Sequence, residues 1–139
     1  MKNAAVLLIV LSALSLAACG DDDEAKPSGS DADQVKAAMT AYLKATAEGD
    51  GKTACSHLTD KARKLAAEAQ GAKAKTCEGV VAEAARGMRD EYRERLRAVR
   101  AEDVDVKLDG DHAVAKAAGA TADLVRHDEH WLVHALGTG

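Results

Sequence analysis

"VDVKLDGDHAVAKAAGATADLVRHDEHWLVHAL" (Val104–Leu136) decides how this chain is read. Along Val104–Leu108 apolar and polar residues alternate, the period of a half-buried strand. Asp109–Asp111 is a hairpin turn, and His112–Ala117 returns as a second strand. A third runs through Thr121–His127, Asp128 and Glu129 make a two-residue turn, and His130–Leu136 is the fourth. Upstream the apolar period changes to that of a helix. Val35, Ala38, Met39, Tyr42, Leu43 and Thr46 stripe one helix over 33–48, with capping-box spacing at Asp31 and Gln34 and Gly49 as its C-cap. A short helical piece over 52–57 holds Cys55. Thr59 caps a third helix running to Gln70 and buried through Ala62, Leu65, Ala66 and Ala69. Thr76 opens the longest, over 77–99, whose stripe is Val81, Ala84, Ala85, Met88, Tyr92, Leu96 and Val99. Gly87 inside it costs about 1 kcal/mol relative to Ala and reads as a close approach to another element. Helices first and then a meander of strands gives an α+β fold, with the N-terminal helices packed on a curved antiparallel four-stranded sheet.

The composition agrees with one domain built with few large side chains. The 139 residues are 47% apolar, but only 2% aromatic, with no Phe, one Trp and two Tyr. Alanine, in 31 copies, fills the core instead, so Trp131, Tyr42 and Tyr92 are its only large anchors. The net charge of −4 gives no electrostatic footprint for nucleic acid.

The N-terminus has a different grammar. After Lys2, Ala4–Ala18 runs for 15 residues without a charge. That is short of the roughly 20 that a helix needs to span a bilayer, but suits a signal peptide. It ends in "LAAC" (Leu16–Cys19), which resembles the bacterial lipoprotein box. The resemblance implies cleavage before Cys19 and lipid on its sulfur, and the alternatives are an ordinary secretory signal with an incidental cysteine or a single membrane anchor. "GDDDEAKPSGSDAD" (Gly20–Asp33) follows, with the single Pro at position 27 and no aliphatic side chain larger than Ala. Such a segment buries too little to order itself and reads as a tether. The expected organisation is therefore a cleaved signal over 1–18, a lipidated cysteine and acidic tether over 19–32, and a domain over 33–139. The mature chain lacks Lys2 and carries −5.

If Cys19 carries lipid, Cys55 and Cys77 remain, and in an exported protein they are expected to pair. The rival, a nucleophilic Cys55 beside His57, fares poorly on a helix, where residues two apart face different ways.

The order "V..AMTAYLKATAEGDGKTACSHLT", a long helix, "VDVKLDGDHAVAKA" and a terminal "VRHDEHWLVHAL" resembles the nuclear-transport-factor-2-like superfamily over residues 34–136. Within it the likeness is to small bacterial lipoproteins with a cone-shaped domain of unassigned function. Ala47–Asp50, Cys55, Trp131 and Val133 carry it best. Where the family has Asp-Gly or Asn-Gly in the last hairpin, this chain has Asp128-Glu129. The resemblance implies a cone-like α+β fold that hosts hydratases, isomerases, cyclases and inactive members, and that often homodimerises through its open sheet face. Its enzymes hold an acid/base pair inside the cone, and no pair here matches residue by residue.

Several groups are candidates for chemistry. His127, His130 and His134 would gather on a helix, but on a hairpin His127 and His130 face each other at ~5 Å and His134 stands ~13 Å further along. His127 and His130 with Asp128 or Glu129 form a weak metal candidate, read more plainly as a solvated hairpin end, and His112 reads as surface. Six arginines lie between 86 and 100. Asp90, Glu91 and Glu94 are interleaved and Glu91–Arg95 has i,i+4 spacing, so a salt-bridged helix face competes with attraction to anionic polymers or lipid headgroups. Tyr42, Met88, Tyr92 and Trp131 would line a pocket or simply fill the core, with Asp123 as the acid to test. These features lead to the expectation of a membrane-anchored extracytoplasmic lipoprotein whose domain binds a small ligand or a protein partner without catalysis and without a cofactor. The alternatives are acid–base chemistry on a small apolar substrate and metal binding at the hairpin histidines.

Overall fold

A computed structural model describes residues 29–69 and 71–138. The signal and lipidation readings at residues 1–28 lie outside the described residues. Among the described residues the fold is α+β: five helices packed with a four-stranded antiparallel open sheet of order β1-β2-β3-β4.

Helix α1 (Asp31–Glu48) starts earlier than its stripe suggested. Ser30, not Asp31, is the N-cap: its hydroxyl accepts from the Asp33 amide while the Asp33 carboxylate accepts from the Ser30 amide. A reciprocal box closes on the first turn whichever way the stripe is phased, so residues 31 and 32 belong to the helix and not to the tether. The Ser30 hydroxyl, which also donates to the Asp33 carboxylate at 2.7 Å, and then the Ser30 amide hold that carboxyl below its ordinary value. Gly49 ends α1 at φ 73, a left-handed C-cap that only glycine adopts freely.

Helix α2 (Gly51–Ser56) is capped by Asp50, and α3 (Asp60–Ala67) by Thr59. Contrary to the sequence pattern, Leu65 does not face the core: it is 56% exposed, while Ala62 and Ala66 pack inward. The expected long helix is two: α4 (Cys77–Gly87) and α5 (Asp90–Arg97). Met88 turns extended at ψ 135, and the Arg93 guanidinium donates at the break to the carbonyls of Met88 and of Ala85, the latter also accepting from the Met88 amide. Carbonyls at a helix end lack the amide partner of the helix interior. A Cβ on Gly87 would meet nothing within 4 Å, so this glycine sits at the break and not at a close approach. The close approach is at Gly51, where a Cβ would stand 2.4 Å from the Glu78 carbonyl oxygen.

Close passage of α2 by α4 brings Cys55 and Cys77 together, with Sγ atoms 1.97 Å apart and Cα atoms 6.2 Å apart. Both cysteines are buried, so Cys55 holds no free thiol for His57 to activate.

The sheet follows as β1 (Asp105–Asp109), β2 (His112–Ala117), β3 (Ala120–His127) and β4 (His130–Thr138). Ala118 and Gly119 link β2 to β3 with φ 50 and 80, the two left-handed residues of a tight hairpin turn. Ala113, Ala115, Ala117, Ala122, Leu124, Trp131 and Val133 form its buried face, against Val35, Met39 and Leu43 of α1. Leu124 and Val133, directly opposed and both 0% exposed, each contribute about 1.5–3 kcal/mol by burial. A register shift between Asp123 and Leu124 interrupts β3–β4. The outer edge of β4 is partly closed by Leu58, which pairs parallel with Val133 through Val133 N–H to His57 O at 2.7 Å and Thr59 N–H to Val133 O at 2.9 Å.

Candidate functional site

The five residues expected to share a pocket fall in three places. Tyr42, Met88 and Tyr92 line one recess of about 430 Å³ with Leu96 and Leu136. Its shape follows from the helix break: Met88 leaves the helical path there, and Gly119, Ala120 and Gly137 keep the opposing end of the sheet low. Leu136 is 55% exposed at its rim. Tyr42 is buried, and burial raises its hydroxyl above the ordinary value, with Thr46 opposing. The phenol therefore stays protonated through the neutral range, in a recess that Thr46, Tyr92 and Thr121 also line.

Trp131 lies elsewhere. It lines a larger recess of about 750 Å³ between α1 and the β3–β4 hairpin, floored by Ala37, Ala38 and Ala41 and walled by His57, His127 and His130. Burial lowers the His57 pKa from its ordinary 6.5. The indole Nε1 is buried and has no hydrogen-bond partner among the described residues. Above the ring, at 5.1 Å from its centroid, sits the Arg126 guanidinium. Arg126 also bridges Asp31 of α1 and Asp111 of the β1–β2 turn, so one cation ties three elements together at this end of the sheet.

Asp123, the acid expected to test an enzyme, is exposed on the sheet's other face, opposite Val114 and Ala135. It lines a shallow saddle with Lys107, His112 and His134, well placed for solvent and not for a proton transfer inside the fold.

His127 and His130 are directly paired across the hairpin. His127 Nδ1 lies 3.3 Å from the Asp128 carboxylate. His134 is drawn away from them, with its Nδ1 3.3 Å from the Thr59 hydroxyl. Among the described residues no three metal-ligating side chains gather. In the arginine run Arg93 pairs with Asp90 and Arg97 with Glu94, both i,i+3 contacts, and Arg100 pairs with Glu102 and Asp103; the expected Glu91–Arg95 pair is not among those of the described residues.

Arg126, His57 and the α1 alanine floor were missed from the sequence. The only signal for Arg126 was parity: it shares the inward phase of Leu124, directly before a hairpin. His57 carried none, because its position depends on Leu58 pairing with a strand 75 residues away.

Compared with family models, with curated proteins and with solved structures, the chain gives no match in any of the three.

Proposed function

We propose that the chain is a lipoprotein held at the extracytoplasmic face of a bacterial membrane through Cys19, and that its domain is a non-catalytic binding module of the nuclear-transport-factor-2-like type. The observation that carries the anchor is "LAAC" at Leu16–Cys19 behind an uncharged run, read together with the other two cysteines bonded to each other. A disulfide persists in an oxidising compartment, and its formation leaves Cys19 as the odd cysteine. No helix among the described residues is long and apolar enough to cross a membrane. The order of helices followed by a meander supports the type at the level of architecture. Radiolabelled palmitate enters the wild type and fails to enter Cys19→Ser; label in both refutes the anchor.

Within the domain, the Tyr42–Met88–Tyr92 recess is the binding site that the geometry supports best. Its walls are mainly apolar, with Leu43, Met88, Leu96 and Leu136, while Tyr42, Tyr92, Thr46 and Thr121 bring hydroxyls that offer orientation, and no acid–base pair lines it. The ligand class is a small apolar molecule or an apolar side chain of a partner. An environment-sensitive apolar dye gains fluorescence on binding, and Met88→Glu, at the half-buried wall, abolishes that gain while the far-ultraviolet circular dichroism stays unchanged. A gain that survives the substitution removes this recess as the site. Asp123 at the solvent-facing saddle withdraws the support that the enzymatic reading drew from it.

A further inference from the structure

We infer that α3 and the segment that follows it form a docking face for an anionic lipid bilayer. Lys61, Lys64 and Leu65 stand at i, i+3 and i+4 spacing on α3 and so share one helix face. All three are exposed, and Leu65, at 56%, is the most exposed large apolar side chain among the described residues. The sequence pattern gives this leucine to the core. The structure packs Ala62 and Ala66 inward instead and turns Leu65 outward between two lysines. Among the described residues Lys61 and Lys64 have no ion-pair partner.

The charge around this face is polarised. Over residues 60–75, Lys61, Arg63, Lys64, Lys73 and Lys75 stand against Asp60 and Glu68, a net of +3 in a chain whose total is −4. Asp60 pairs with Arg63 at 2.6 Å, while Glu68 and Glu83 of α4, whose carboxylate accepts from the Lys73 and Ala74 amides, are the acids beside this face. The arginine run, richer in cations, is the weaker candidate. Arg93, Arg97 and Arg100 each pair with an acid, and Glu83 stands beside Arg86.

Charge complementarity names the occupant. Lysines flanking an exposed leucine match a surface with anionic headgroups above an apolar interior, each lysine gaining about fivefold in partition near such a surface and the leucine entering the acyl boundary. The anchored reading supplies the reason that a bilayer is at hand. Ten residues separate Cys19 from Ser30. A chain of that length reaches at most ~35 Å, comparable with the width of a domain of this size, so the anchor permits this face to reach the bilayer.

The test uses the mature chain over 19–139 with Cys19→Ser, so that binding cannot come from attached lipid and the anchor stands or falls separately on the palmitate experiment. This chain is expected to co-float with vesicles of phosphatidylglycerol and phosphatidylcholine, but not with phosphatidylcholine alone, and to be released by high salt. Lys61→Gln with Lys64→Gln lowers the partition roughly 25-fold, from two lysines at about fivefold each, and Leu65→Ser lowers it further at unchanged circular dichroism. The inference is overturned by no flotation on anionic vesicles, or by flotation that these substitutions leave unchanged. It is equally overturned if Arg89→Gln with Arg95→Gln abolishes flotation while the α3 variants keep it. Retention of the chain by a soluble polyanion such as heparin without vesicle binding assigns the face to a polymer and not to a bilayer.

Discussion

His57 shows how one side chain records the tertiary structure. Its imidazole ends α2, stands against the recess under Trp131, and has its pKa lowered by burial. Above its ordinary value of 6.5 the ring is neutral in the folded and unfolded chains, and protonation adds nothing to either. As pH falls through 6.5 the unfolded chain takes the proton first, so stability declines until the pH passes the lower folded value. Urea unfolding followed between pH 7 and about 5 is expected to show this decline in the wild type and a flatter profile in His57→Gln; equal slopes in the two exclude His57 as the cause. The carboxylates of Asp33, Asp50 and Glu83 act in the same sense at lower pH. Each is held below its ordinary value by hydrogen bonds: from Ser30, from Thr53, and from the amides of Lys73 and Ala74. Their stabilisation is complete above the ordinary carboxylate range and is lost as pH falls through the lowered values. The two acid effects therefore separate along the pH axis.

At the level of elements, the packing of α2 against α4 organises the helical layer. Gly51 is needed there because the Glu78 backbone occupies the space of a Cβ, and that approach sets Cys55 against Cys77. The cysteines are 22 positions apart, for which loop closure gives about 3 kcal/mol. Reduction, or Cys55→Ser with Cys77→Ser, is expected to lower the midpoint of thermal unfolding by roughly 10–20 °C in a domain of this size. A scanning calorimetry shift under about 3 °C would show that α2 and α4 hold together without the bond. The α4–α5 break is the other decision at this scale. The helical stripe from Val81 to Val99 continues across it without a phase error large enough to reveal it. The break is marked instead by Arg93 reaching back to two carbonyls, a contact that exists only once the chain has turned. The strands were more legible, because a one-residue error in a strand exchanges its two faces. Thus the alternation in Ala113–Ala117 fixes which residues face inward, whereas in the Val104–Leu108 stretch Val104 is buried and Val106 half-buried but Leu108, on the same phase, is 44% exposed.

Across the whole molecule, the candidate sites separate by topology. Tyr42, Met88 and Tyr92 share a recess because α1 and α5 cross the same end of the sheet. Trp131 belongs to the opposite end, near the hairpin, and Asp123 to the other face. Asp123 and Trp131 lie on neighbouring strands, and no local pattern distinguishes their surroundings. The exposed basic face of α3 was hidden for a related reason. Leu65 has the spacing of a core residue, and which of two candidate stripes a short helix buries is settled by its neighbours, here α4 and β4. By itself the sequence determined the α+β class, the four strands and their order, and the helix starts that Thr59 and Thr76 announce, because alternation, turn residues and caps act over a few positions. Only the tertiary structure decided the break after Gly87, the inward turn of Arg126, the outward turn of Leu65 and the division of the aromatic residues between two recesses. Each of these depends on which distant surface arrives to cover a side chain, and burial is a property of the assembled layers.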